Sequence, residues 1–305
     1  VIQSWFQEYP RKLSLSGVVV ASVTPFRKGE VYKEGFDLLI EFLVSKRVNA
    51  IFVCGTTGEG MIMNLKQRKR AAELAVQSSK VPVIVQVGTN NLEDTIDLTK
   101  HARDIGAAAT ASITPMFYPY TNDGLASYFL EVARASDLPI FVYSNPSRTG
   151  VKISLETLTK IFKEGPGNLA GVKESSADMT FLGKVIQSVG GKMVFNGADT
   201  CFLPGLVLGT SGQVSGYASL CPELYVQLYE AWTSGDLKKA QSLQAKISKV
   251  KGLLETPYIQ PIKEGLRMRS IDVGDVIPPL VTMRQSEIEN LRKGLAEAAP
   301  EIFAR

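Results

Sequence analysis

Three short stretches of the chain carry residue types that could act together on one substrate. They are Gly55-Thr56-Thr57-Gly58-Glu59, the run FVYSNPSRTG at 141–150 that contains Tyr143 and Arg148, and NLAGVKESS at 168–176. In the last of these Lys173 ends an apolar, strand-like run, although helix surfaces and loops offer an ammonium group cheaper places. A lysine enclosed by apolar residues is desolvated, its pKa falls, and more of it is the neutral amine that can attack a ketone. The product is a Schiff base. Once protonated, it withdraws electrons from the neighbouring carbon, so that an enamine can form or a carbon–carbon bond can break. A tyrosine hydroxyl such as that of Tyr143 can carry the proton. Backbone N–H groups of the Gly55–Glu59 turn, entering a helix N-terminus, can hold a carboxylate with the help of the Thr56 and Thr57 hydroxyls. The combination describes a pyruvate-like 2-oxo acid bound covalently to Lys173, with no metal, histidine or separate cofactor required.

Each stretch also has a plainer explanation. The paired glycines around two threonines fit a tight turn, Tyr143 fits a core aromatic whose hydroxyl finds a carbonyl, and Lys173 fits an ion pair or a stem reaching water. The spacing Gly55-x-x-Gly58-x-Gly60 departs from the dinucleotide-binding G-x-G-x-x-G, and no acid stands where a ribose would need one. What favours the chemical reading is that one mechanism uses all three stretches.

Such residues need a scaffold that brings separate strand ends together. Apolar β-like runs occur at 17–24, 49–54, 82–87, 107–113, 139–144, 168–174, 192–196 and 211–216. They are apolar at consecutive positions, as strands buried on both faces of a parallel sheet must be. Amphipathic helices lie between them. One starts near Lys33, with Phe36, Leu39, Ile40, Leu43 and Val44 on one face, and another follows Asn91, a good N-cap, with Glu93 and Asp94 in its first turn. Eight βα units predict an α/β fold, a closed (β/α)8 TIM barrel over 17–221, with a doubly wound open sheet as the runner-up. Past residue 221 only helices are expected, at 222–233, 236–252, 257–268 and 284–297, which read as an additional C-terminal helical domain over 222–305. The first sixteen residues read as an N-terminal extension. In a barrel of this kind the site forms where strands end, which is where Tyr143, Lys173 and the threonine turn fall.

Composition narrows the function classes further. No apolar run approaches the roughly 18 residues of a membrane span, and residues 1–16 contain no signal-peptide block, so no membrane partner and a cytoplasmic location are expected. The formal charge of +4 arises from 34 basic and 30 acidic residues spread along the chain. The basic cluster LKQRKR at 65–70 reads as a solvated helix face, and no nucleic-acid partner is expected. Cys54, Cys201 and Cys221 show no paired spacing. His101 is the only histidine, so no metal site of several histidines can form, and a serine–histidine–acid triad would have to use this one ring.

The same residues resemble the dihydrodipicolinate synthase and N-acetylneuraminate lyase family of class I, Schiff-base (β/α)8 enzymes, from about Gly17 to about Arg292. GTTGE at 55–59, Tyr143-x-Asn145-Pro146 and GVKES at 171–175 stand in the family's order. The resemblance implies that Lys173 forms the imine and that Tyr143 shuttles protons. It also implies that Thr56 and Thr57, with the Gly55 turn, bind the oxo-acid carboxylate and join the relay, and that Gly197 and Val214 are small backbone-contact positions near the substrate. It further implies 2-oxo acid and aldehyde substrates, no cofactor beyond the covalent Schiff base, and a homotetramer built as a dimer of dimers.

The subfamily depends on two further places. Synthases of the family carry Pro-Tyr-Tyr-Asn after the fourth strand, and its second tyrosine completes a relay in the neighbouring subunit. Here the chain reads Thr114-Pro115-Met116-Phe117-Tyr118-Pro119. Phenylalanine cannot pass a proton, and Tyr118 is the adjacent hydroxyl. The Pro-x-x-Tyr-Pro pattern more closely resembles sialic-acid lyases and 2-keto-3-deoxy-sugar-acid aldolases. Arg148, by contrast, resembles the arginine with which synthases hold aspartate semialdehyde. The first expectation is therefore reversible aldol cleavage of a 2-keto-3-deoxy sugar acid of the gluconate type. The alternatives are 4-hydroxy-tetrahydrodipicolinate synthase, a keto-deoxy sugar acid dehydratase, and a non-catalytic oxo-acid-binding regulator on the same fold.

Overall fold

The computed structural model describes residues 13–255 and 258–303. Most of the expected N-terminal extension, residues 1–12, lies outside the described residues, as does residue 257, where one helix was expected to begin. Eight parallel strands, β1 (Gly17–Ala21), β2 (Ala50–Val53), β3 (Val83–Gln86), β4 (Ala109–Ile113), β5 (Ile140–Ser144), β6 (Leu169–Glu174), β7 (Met193–Asn196) and β8 (Gly212–Ser215), close into one barrel. Each pairs with its neighbours in chain order, and β1 closes the ring by pairing with both β8 and β2. All eight expected strands are present, one to three residues shorter than their apolar runs.

Two apolar layers explain those runs. Val19, Ala21, Ala50, Phe52, Ile84, Ala109, Ala111, Ile113, Phe141, Tyr143, Phe195 and Val214 fill the barrel interior as one cluster. Strand residues of the other parity, such as Val18, Val20, Ile51, Val85, Val142 and Val172, belong to a second cluster that includes the helices. Both faces of each strand are dry, so periodicity of two disappears from the sequence.

The helices α1 (Lys33–Ser45), α2 (Leu65–Ser78), α3 (Leu92–Asp104), α4 (Asn122–Arg134), α5 (Leu155–Glu164), α6 (Met179–Ser188), α7 (Phe202–Leu208) and α8 (Pro222–Thr233) alternate with the strands. Local chemistry starts them where they start. Asn91 accepts from the Asp94 N–H at 3.1 Å, Ser154 from Thr157 at 3.0 Å and Asp178 from Phe181 at 2.9 Å. Helix α8 packs against β1, and α9 (Leu237–Leu254), α10 (Gln260–Met268) and α11 (Gln285–Ala298) follow it. No helix of the described residues is long and apolar enough to cross a membrane.

Three local features differ from expectation. A short hairpin pairs Phe26 with Val31 through Lys28 and Gly29, both at positive φ; a Lys-Gly pair is a weak hairpin signal. The 65–70 cluster is not wholly a solvated face, because Arg68 is buried, its guanidinium donating to the Gln86 carbonyl at 2.6 Å and the Gly88 carbonyl at 3.1 Å. Finally, the Gly55–Glu59 turn does not enter a helix. It continues as turn to Met63, and α2 begins only at Leu65 behind its own Asn64 cap.

What holds that turn is an ion pair. Lys263 of α10 and Glu59 are both fully buried, with Nζ 2.7 Å from Oε1. The ammonium also donates to the Thr24 and Asp275 carbonyls at 2.8 Å each, and the Ile277 N–H donates to the other Glu59 oxygen at 2.8 Å. Burial pushes the Glu59 carboxyl up and the Lys263 ammonium down, while each partner opposes the shift. Such a pair costs desolvation when intact and much more when broken. Lys263→Met should therefore destabilise the protein by about 3–5 kcal/mol in urea unfolding, and Glu59→Leu added to it should restore part of the loss. A single variant as stable as the parent would show that the pair does not hold the turn.

Candidate active site

Lys173 and Tyr143 are direct cross-strand neighbours in the β5–β6 register, so both side chains leave their strands on the same, inward side. Lys173 is buried, and its Nζ lies 4.2 Å from the centre of the Phe52 ring and 4.0 Å from that of Tyr143. The environment that the sequence implied is present: an ammonium-bearing stem at a strand end, enclosed by aromatic faces. The Tyr143 hydroxyl accepts from the Asn145 amide at 3.0 Å and lies 3.3 Å from Thr56 Oγ1, a long contact for two hydroxyls. Burial alone would raise the Tyr143 pKa; the Lys173 charge and the hydrogen bonds from Thr56, Asn145 and Lys173 outweigh it, and the net direction is down.

These groups open on a cavity of about 340 Å³ at the C-terminal mouth of the barrel. Of the nine residues singled out from sequence, Thr56, Thr57, Tyr143, Arg148, Lys173, Gly197 and Val214 line it. Two do not. Gly55 is buried, and a Cβ there would fall 2.7 Å from the Phe52 ring. Tyr118 is 62% exposed and packs edge-on against Phe117, itself 85% exposed. Gly197 has a steric reason to be glycine, since a Cβ would sit 1.8 Å from Ser175 Oγ. Among the described residues no backbone carbonyl takes the Thr56 or Thr57 N–H, so the turn keeps free donors although it does not enter a helix.

Several lining residues were missed in the sequence. Asn145 and Ser175 follow the Tyr143 and Lys173 strands directly, and the family motifs contain both without marking their roles. Asp199 is buried, accepts from Ser215 and, at 2.7 Å, from Tyr225, and has its carboxyl pushed up by burial. Lys251 and Glu255 reach the cavity from the end of α9 and its cap, and Tyr258 from the segment before α10. The Tyr258 hydroxyl is 2.7 Å from Thr57 Oγ1. No sequence periodicity marks Lys251, Glu255 or Tyr258, because they are brought in by the chain that follows the barrel.

With this geometry established, comparison with known proteins gives a consistent result. Residues 14–298 match the dihydrodipicolinate synthetase family. The chain belongs to that family. Its members are class I pyruvate-dependent lyases, as the residue pattern implied. The 4-hydroxy-tetrahydrodipicolinate synthase of Thermodesulfovibrio yellowstonii is 33% identical over 92% of this chain and 98% of its own. Among solved structures, dihydrodipicolinate synthase from Aquifex aeolicus is 31% identical with a TM-score of 0.88, covering 92% of this chain and 97% of that one. YagE, a prophage protein of this family from E. coli K12 solved in complex with pyruvate, is 26% identical with a TM-score of 0.88, covering 93% and 98%.

The electrostatic link between lysine and tyrosine is open to direct measurement. Removing the ammonium in Lys173→Met removes the largest influence that lowers the phenol, so Tyr143 should titrate at higher pH than in the parent. Tyrosine-ring 13C resonances followed with pH, with Tyr143→Phe used to assign the signal, would check this. An unchanged or lower titration point would contradict the coupling.

Proposed function

We propose that the protein binds a pyruvate-like 2-oxo acid as an imine on Lys173 and joins that acid to an aldehyde, or releases it from one. The observation that carries the reading is the position of Lys173 Nζ over two aromatic rings, beside a Tyr143 hydroxyl tied to Thr56 and Asn145. The neutral amine attacks the carbonyl carbon, a C–N bond forms, and water leaves to give the imine. Tyr143 and Thr56 move the protons, one to the departing oxygen and one from the carbon beside the imine, which leaves an enamine. The enamine carbon then bonds to the aldehyde carbon, and the aldehyde oxygen takes up a proton. Thr57 and the free turn amides hold the oxo-acid carboxylate. The protonated imine on Lys173 is the electron sink, so this chemistry calls for no separate cofactor.

For the aldehyde, the named relatives and Arg148 support a partner bearing a carboxylate, as aspartate semialdehyde does. Arg148 lines the cavity and has no carboxylate partner among the described residues. The synthase reading therefore moves ahead of the sugar-acid aldolase expected from the Pro-x-x-Tyr-Pro pattern. The aldolase stays as the second reading, supported by Phe117, which lacks a hydroxyl, and by the polar lining residues Ser147, Ser176, Asp199 and Thr200, which suit a polyol. The homotetramer is carried forward on the family resemblance, and the exposed Phe117–Tyr118 pair is compatible with an interface there.

Borohydride added to the protein with pyruvate should leave a pyruvate-sized adduct on Lys173, read by intact mass and peptide mapping. No adduct, or one only on other lysines, would remove the mechanism. Turnover of pyruvate with aspartate semialdehyde should exceed that with glyceraldehyde, and the reverse order would restore the sugar-acid reading.

A further inference from the structure

Tyr258 belongs to no barrel element, and its contacts converge on the cavity. Its hydroxyl lies 2.7 Å from Thr57 Oγ1, across 201 residues of chain. Its ring packs edge-to-face with that of Tyr217, centroids 5.4 Å apart, and the Arg148 guanidinium lies 5.1 Å from the ring centre. Space for the contact is made by Gly216, where a Cβ would fall 2.2 Å from Thr57 Oγ1 and 2.6 Å from the Tyr258 hydroxyl. A glycine that leaves room for two hydroxyls to meet is hard to explain as packing alone.

Either hydroxyl can donate across this contact. Burial raises the Tyr258 phenol above its ordinary value, so it keeps its proton and can donate. A hydroxyl such as Thr57 has one hydrogen to give. If its oxygen receives the hydrogen bond from Tyr258, its own hydrogen is free to point into the cavity. We infer that Tyr258 is a positioning residue that orients the Thr57 hydroxyl toward the carboxylate of the oxo acid. This rests on the proposed binding of a 2-oxo acid on Lys173. It gives the segment after α9 a part in substrate binding, although it lies outside the eight βα units.

The test uses the concentration of pyruvate that half-saturates borohydride trapping on Lys173, with trapping at saturating pyruvate as the control for an intact lysine. Tyr258→Phe keeps the ring, and therefore the Arg148 and Tyr217 contacts, but loses the hydroxyl. Half-saturation should rise roughly tenfold while trapping at saturation stays within about twofold. On a Thr57→Val background the same change should have no further effect, because the two residues act through one contact. Equal effects on both backgrounds, or no effect where Thr57 is present, would overturn the assignment while leaving the lysine reading intact. No adduct in the parent protein would overturn both. Should Tyr258→Phe fail to fold, Gly216→Ala probes the same contact by filling the space between the hydroxyls, and an unchanged half-saturation there would overturn the assignment.

Discussion

The register between β5 and β6 is the constraint on which the site depends. Parallel pairing sets Tyr143 against Lys173 and Ser144 against Glu174. A slip of one residue would exchange the two faces of a strand, sending the lysine among the helices and bringing Glu174 into the barrel. The slip is opposed from both sides, because Val172 belongs to the outer cluster and Phe141 and Tyr143 to the inner one. The burial that fixes the register also strips water from the lysine. Folding and chemistry thus draw on the same apolar layers.

Two electrostatic arrangements at the barrel mouth do different work. Around Lys173 the neighbours are π faces and hydroxyls, which stabilise a cation moderately and leave its nitrogen free of a carboxylate. Around Lys263 a carboxylate and two carbonyls take up the ammonium completely, as a structural lysine requires. Both are buried and both lie beside an aromatic ring. What separates the two lysines is that an acid is within reach of Lys263 alone.

Most of the barrel was legible in the sequence because apolar runs and caps are local signals. The eight strands, the Asn91 cap and the helix at Pro222–Thr233 follow from neighbouring residues alone. Lys173, Tyr143 and the threonines could be singled out because each sits at the end of such a run. Features fixed by distant partners were not legible. Arg68 looked solvated because its carbonyl partners lie on and after β3. The helix entry expected at Glu59 failed because that residue is held at positive φ by Lys263 and Ile277. Tyr258 had no signal at all, since its value lies in a contact with Thr57. Tyr118, placed by motif likeness, is exposed and does not line the cavity of its own chain.

The anchoring of Glu59 bears on the order in which the molecule is completed. One of its oxygens is met by a residue of α10 and the other by the backbone of Ile277, 218 positions further along the chain. A nascent chain that ends at β8 would already contain Lys173 and Tyr143 on paired strands, but neither partner of Glu59. The Lys173 side of the cavity would be built with the barrel, and the Gly55–Glu59 turn would be anchored only when the last segments dock. During synthesis, then, the lysine–tyrosine pair would be in place before the turn beside it is anchored.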